Sequence, residues 1–284
     1  MKVFAGRTLI LATMHQKERV IAPLLAEEIG LNVVVPSAFN TDQFGTFSRD
    51  IKRLGTQIET ARQKAKTALE ITGESLAIAS EGSFFPHPAF PYISCDREIV
   101  LLLDLTNNLE IIGQEIATET NFSHQRVSTV QEALDFAPKI GFPEHGLVVM
   151  FDKNSTNQAE IFKGITSENQ LIELLEYVLQ HSPTNTAHLE TDMRAMYNPT
   201  RLAVIARATQ NLIRKMKQLC PQCSAPGFDI IEREPGLPCH FCLAPTSLIK
   251  TEIWGCQKCR FKQANHFTDK VNFADPTYCE YCNP

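Results

Sequence analysis

Long apolar runs are missing from this chain. No stretch approaches the roughly 18 apolar residues of a membrane span. The run Thr8-Leu9-Ile10-Leu11-Ala12-Thr13 is too short for the apolar part of a signal peptide, and it leads into His15, Lys17 and Glu18. A basic excess is missing too. The formal net charge is −5, which argues against nucleic-acid binding by bulk charge alone but leaves room for a local basic face. Isolated cysteine is nearly missing: of nine cysteines, only Cys95 stands outside a Cys-x-x-Cys pair. Paired cysteines at metal spacing without an export signal predict a reducing, cytoplasmic setting and no membrane partner.

What is present is concentrated at the two ends. The last 65 residues carry four knuckles, Cys220/Cys223, Cys239/Cys242, Cys256/Cys259 and Cys279/Cys282. Two thiolates three positions apart can face one metal ion, so eight make two tetrahedral sulfur cages. The tail is read as holding two structural zinc ions. Closed four-thiolate sites leave no open coordination position, so chemistry must lie elsewhere. The gaps of fifteen residues (Cys223 to Cys239) and nineteen (Cys259 to Cys279) fit two tandem ribbons. Sequential pairing is the expectation. An interleaved cross-brace, first knuckle with third and second with fourth, is the alternative the spacing leaves open. The tail balances six Lys/Arg against seven Asp/Glu, and each four-thiolate zinc adds negative charge. That favours a protein partner over nucleic acid. Trp254, Phe261, Phe267, Tyr278 and Tyr281 are expected to form a small core around the metals.

Elsewhere strand and helix signals intermix. Thr8–Thr13 and Leu31–Val35 read as strands. A helix lies between them, with Pro23 placed in its first turn and Gly30 as its stop. A long helix is expected over 48–72, a short strand over 76–79 and a loop over 80–96. Glu98–Leu105 and Leu109–Ala117 flank Thr106-Asn107-Asn108 as a hairpin. The result is an α/β fold with a mixed sheet over residues 1–197. A connecting helix over 198–219 follows, with an apolar stripe and a basic face of Arg201, Arg207, Arg214, Lys215 and Lys217. The zinc module occupies 220–284.

Three polar clusters fall at strand ends and on the long helix: Thr13 to Glu18; Glu59, Arg62, Lys64 and Lys66; and Ser80-Glu81-Gly82-Ser83 with His87 and Asp96. Their order resembles that of pyrophosphatases that destroy inosine and xanthosine triphosphates. Thr13 to Lys17 is similar to the Thr-x-Asn-x-x-Lys motif, one residue short and with His15 in place of asparagine. Thr56, Glu59, Ala61, Lys64 and Ala65 match the Thr-Phe-x-Glu-Asn-Ala-x-x-Lys-Ala helix, and Ser80-Glu81-Gly82-Ser83 falls at the acidic loop, with Ser80 replacing an aspartate. The resemblance implies a nucleotide or phosphorylated small molecule as ligand and a Mg²⁺-dependent hydrolase of phosphoanhydrides. It casts Lys17, Glu59 and Glu81 as catalytic and Lys64 at the ligand, and the polar clusters add His15 and Asp96 as candidate ligand-binding residues. The runs Lys17 to Pro23, Ser80 to Ser83, Glu190 to Ala195 and Asn198 to Arg201 also look like an uncharacterised bacterial family with a zinc-ribbon tail. That likeness directs attention to Glu190, Asp192, Arg194 and Arg201 as further pocket residues. The rival expectation is a non-catalytic zinc-ribbon adaptor that binds protein or RNA.

Overall fold

A computed structural model describes residues 3–37, 39–45, 55–87, 90–155, 157–267 and 271–284. By internal contacts the chain divides into two units. One comprises Met1–Thr106 and Ile112–Ile213, the other Asn107–Ile111 and Arg214–Pro284.

The first unit is α/β and contains a mixed sheet, as the pattern predicts. Its strands are β1 (Thr8–Ala12), β2 (Asn32–Val34), β3 (Leu76–Pro86), β4 (Ser94–Asp104) and β5 (Leu109–Ala117), in the order β2-β1-β3-β4-β5. β1 runs parallel to β2 and β3, and β3 runs antiparallel to β4. Helix α1 (Glu18–Ile29) makes the crossover from β1 to β2 and ends at Gly30, whose φ of 76° suits a residue without a Cβ. Pro23 lies inside α1, not in its first turn. The missing N–H costs one helical bond, and buried Ile21, Leu25 and Ile29 hold the helix in place.

Helix α2 (Gln57–Thr72) packs small residues Ala61, Ala65 and Ala68 against Ala77, Ala79, Ile99 and Leu101 of the sheet. Residues 48–54 of the expected long helix lie outside the described residues. The largest departure concerns 80–96, expected to be a loop. Residues 80–86 continue β3 and residues 94–96 begin β4. Ser80 and Glu81 sit there in mid-sheet with partners in Lys17 and Lys64, which offset the cost of burial.

The same unit holds a second, all-antiparallel sheet that the pattern did not separate from the first. Its strands are β6 (His124–Val127), β7 (Leu147–Met150), β8 (Ile161–Ile165) and β9 (Ala187–Thr191), in the order β6-β9-β7-β8. Val127, Leu147, Val149 and Leu189 form a core with Ala133 and Phe136 of α3 (Val130–Phe136) and Leu171, Leu175 and Val178 of α4 (Glu168–His181).

Helix α5 (Pro199–Lys217) starts as its sequence predicts. Asn198 accepts from the Arg201 N–H at 2.9 Å, and Pro199 takes the first helical position. A Cβ on Gly113 of β5 would collide with the α5 backbone at Ala208 and Leu212, so glycine permits a very close approach there. Most of the helix's basic face is neutralised. Arg201 is buried against Glu98, Arg207 pairs with Glu115 and Glu119, and Lys215 pairs with Asp229.

The second unit carries β10 (Asp229–Pro235), β11 (Ile249–Gly255) and β12 (Lys262–His266) as an antiparallel sheet in the order β10-β11-β12.

Candidate functional site

Two kinds of site emerge. In the tail, the sulfurs of Cys220, Cys223, Cys256 and Cys259 lie within 4.8 Å of one another, and so do those of Cys239, Cys242, Cys279 and Cys282. This is the interleaved arrangement and corrects the sequential pairing. β11 carries the third knuckle back beside the first, so chain neighbours do not share a metal. Sulfur separations of 3.5–3.8 Å match the edge of about 3.8 Å expected for a tetrahedron of ~2.3 Å Zn–S bonds. They are far too long for disulfides. Each knuckle closes with the same backbone bond: Ser224 donates to Cys220, Leu243 to Cys239, Arg260 to Cys256 and Asn283 to Cys279. The donor set and spacing fit two structural zinc ions.

Only part of the expected aromatic core forms. Trp254 and Phe261 pack with Phe228 beside the first cage. Tyr278 and Tyr281 are exposed near the second cage, as are Phe241 and Leu243, and Phe267 is partly exposed.

The first unit contains a polar cleft that opens to solvent. Its lining carries five basic side chains, Lys17, Lys64, Lys163, Arg194 and Arg201, against two carboxylates, Asp42 and Glu81, with His15, Thr13 and Ser80 between them. β1 ends there at Thr13. α1 begins just beyond at Lys17, whose ammonium donates to the Ser80 hydroxyl at 2.9 Å and to its carbonyl at 3.3 Å. Burial, and then the nearby Arg201 charge, push the Lys17 pKa down to about 8, although Glu98 and Glu81 oppose the shift.

Alternation along β3 sends its side chains to opposite faces. Glu81 meets Lys64 of α2 in a buried ion pair. Ser80 and Gly82 share the other face with Glu98, which pairs with Arg201 Nε at 2.6 Å. A Cβ at Gly82 would collide with the Glu98 carboxylate and the Arg201 guanidinium, so this glycine makes room for the pair. Arg201 also donates to the Met193 carbonyl. Asp96 lies on the same face as Glu98. Burial and the neighbouring Glu98 charge push its pKa up to about 8.

The structure brings His15, Lys17, Lys64, Glu81 and Arg194 to one cleft. His15 Nε2 lies 2.9 Å from Asp42, and that hydrogen bond holds the Asp42 carboxyl below its ordinary range. Asp192 follows β9 and is buried. It grips Arg194 through bonds of 2.7 to 3.2 Å and accepts from the Gly164 N–H, while the Arg194 guanidinium lies over the Tyr197 ring at 4.7 Å. Burial opposes the charged form of Arg194, but Asp192 outweighs it and raises the pKa. Glu190 lines an adjoining recess with Phe84, Phe122, Lys163 and Arg194, and it hydrogen-bonds His188 at 3.0 Å.

Glu59 is not brought to the cleft. Its carboxylate accepts from the Thr56 N–H at 2.8 Å and completes a capping box at the start of α2, on the surface. Asp96 is buried on the same sheet face as Ser80 and Glu98 but does not line the cleft. These placements bear on Mg²⁺, which takes near-octahedral oxygen coordination. Glu59 is committed to the helix cap and Glu81 to Lys64. Among the described residues, the groups of three or more ligands converging on a point are the cysteine cages. Among the described residues no three carboxylates converge on one point, and Mg²⁺ held by one or two carboxylates with substrate phosphates requires no such group.

Sequence reasoning passed over Glu98, Lys163, Asp42 and the hydroxyl of Ser80. Glu98 had a signal. Asp96 and Glu98 alternate at the head of the apolar run Ile99–Leu103, so a carboxylate faces a buried side of the strand and requires a partner.

No curated protein matches the sequence. Among solved structures, the crystal structure of protein VC0702 from Vibrio cholerae is similar at 9% identity. The match covers 73% of this chain and 93% of that one, with a TM-score of 0.33, and a likeness this shallow carries no argument. The model of a domain of unknown function, DUF6671, matches residues 64–284, which include Glu81, Glu98, Arg194, Arg201 and all eight cage cysteines. The chain belongs to the DUF6671 family.

Proposed function

We propose that the cleft binds a phosphorylated small molecule, with a nucleoside triphosphate as the leading candidate, and cleaves its phosphoanhydride. One observation carries the reading: five basic side chains reach the wall of a single cleft, three of them ion-paired, Lys64 with Glu81, Arg194 with Asp192 and Arg201 with Glu98. Buried cations of this kind stabilise charge developing on transferring phosphoryl oxygens. Lys64, Lys163, Arg194 and Arg201 take that role, and Lys17 lies at the floor beside Ser80. Glu81 is the carboxylate within reach of an attacking water. No step is assigned to Mg²⁺, which enters as the counter-ion of the triphosphate.

The test is release of phosphate and pyrophosphate from standard and deaminated nucleoside triphosphates, with Mg²⁺ and then Mn²⁺, alongside Glu81→Gln. Turnover by the native chain that disappears in the variant, with fold and zinc content retained, is the expected result. Equal activity in Glu81→Gln rules out its role. Absence of both turnover and nucleotide-induced thermal shift rules out the site.

A second reading rests on the exposed Phe241, Leu243, Tyr278 and Tyr281 near the second zinc cage. An adaptor that contacts a protein through this apolar surface explains their exposure. An RNA partner has less support, because most of the basic face of α5 is internally paired.

A further inference from the structure

Ser80 sits in the middle of β3, yet its hydroxyl faces the cleft and contacts the ammonium of Lys17 at 2.9 Å. Both side chains are buried, at 3% and 7% exposure, so the contact is shielded from bulk water. The neighbouring position on that strand face is Gly82, over which the Glu98 carboxylate and the Arg201 guanidinium lie, so the ion pair flanks the Ser80 hydroxyl. Lys64, Arg194 and Arg201, paired with Glu81, Asp192 and Glu98, line the same cleft and can donate to a phosphoryl group there.

We propose that Ser80 and Lys17 form a nucleophile–base dyad, in which Ser80 takes the phosphoryl group from the substrate before water removes it. This rests on the phosphoryl-site reading and adds the attacking atom. In the first step the Ser80 Oγ–P bond forms and the anhydride P–O bond breaks. The hydroxyl proton passes to neutral Lys17, and the shortened nucleotide leaves as an anion. In the second step a water oxygen bonds to phosphorus and the Ser80 Oγ–P bond breaks. Glu81 takes the water's proton and releases it to solvent, while the Lys17 ammonium returns its proton to Ser80. A depressed lysine pKa makes such a base available near neutral pH. The charged groups that set it are Arg201 and Lys64, which lower it, and Glu98 and Glu81, which raise it.

The experiment treats the full-length, zinc-loaded chain with a small alkyl fluorophosphonate between pH 6 and 10 and reads adducts by peptide mass spectrometry. The expected result is an adduct on the peptide containing Ser80, with loss of fluoride and a rate that rises through about pH 8. Lys17→Met slows labelling by about 100-fold or more, and Ser80→Ala abolishes it. Folding of each variant is checked by zinc content and thermal melting. No Ser80 adduct at any pH in the folded native chain overturns the dyad, as does labelling of Lys17→Met at the native rate. The fluorophosphonate needs no nucleotide. A Ser80 adduct without nucleotide turnover therefore overturns the choice of substrate and keeps the dyad. Turnover without an adduct keeps the phosphoryl site and discards the dyad. If both readings hold, Glu81→Gln incubated with its substrate accumulates phosphoserine at position 80.

Discussion

Arg201 and Glu98 meet at 2.6 Å with side chains that are 1% and 0% exposed, so a helix and a strand 103 residues apart share one fully buried ion pair. The attraction between two such charges offsets their desolvation only while both are present. Glu98→Ala leaves Arg201 buried without its counter-charge and is expected to lower stability by about 3–5 kcal/mol. Glu98→Leu with Arg201→Met recovers much of that loss. Urea unfolding measures the Glu98→Ala loss. Applied to Glu98→Leu, Arg201→Met and the double variant it measures the coupling, and additivity of the two single losses would refute the pairing.

Gly82→Ala places a methyl where the Glu98 carboxylate and the Arg201 guanidinium lie. The pair must shift, at a cost of about 1–3 kcal/mol. The variant is expected to melt lower than the native chain and to bind phosphate or nucleotide more weakly, because Arg201 also lines the cleft. Calorimetric melting with and without pyrophosphate tests both effects.

The interleaved cages predict a specific metal count. Cys223→Ser with Cys259→Ser damages one cage twice and leaves Cys239, Cys242, Cys279 and Cys282 intact. One zinc per chain is expected from elemental analysis. A sequential arrangement predicts none, because each substitution would then fall in a different cage.

Asp96 and Lys17 give stability opposite dependences on pH. The folded pKa of Asp96 is raised to about 8 from an ordinary 3.8, so the unfolded chain loses that proton first. Its contribution is complete below about pH 4 and is lost as pH rises toward 8. The folded pKa of Lys17 is lowered to about 8 from 10.5. There the unfolded chain binds the extra proton, so the penalty for burying the ammonium is relieved as pH rises from about 8 to 10.5. Asp96→Asn is expected to flatten the acid-to-neutral decline, and Lys17→Met the alkaline rise. Denaturant titrations at pH 5, 7, 8.5 and 10 report both slopes. An unchanged slope in either variant removes that assignment.

Local signals carried much of the fold. β1, α1, the β4–β5 hairpin and α5 were legible because each is bounded by its own punctuation: Gly30, the Asn107-Asn108 turn, and Asn198-Pro199. The extent of β3 and β4 was not legible. Ser80, Glu81 and Ser83 read as loop residues until Lys17 and Lys64 are brought against the first two. Glu59 carried two local signals at once. Its match to a catalytic helix motif is also a capping box, and the structure uses it as one.

The sequence by itself determined the eight metal ligands, because Cys-x-x-Cys spacing imposes a local geometry that needs no distant contact. It likewise determined the α/β character, through the periods of its apolar residues. Which knuckles share a cage was decided only by the tertiary structure. So was the gathering of Lys17, Lys64, Arg194 and Arg201 around Ser80 and Glu81. These partners lie tens to more than a hundred residues apart. Their pairing depends on strand order and helix docking, where burial makes an unpartnered charge too costly to leave alone.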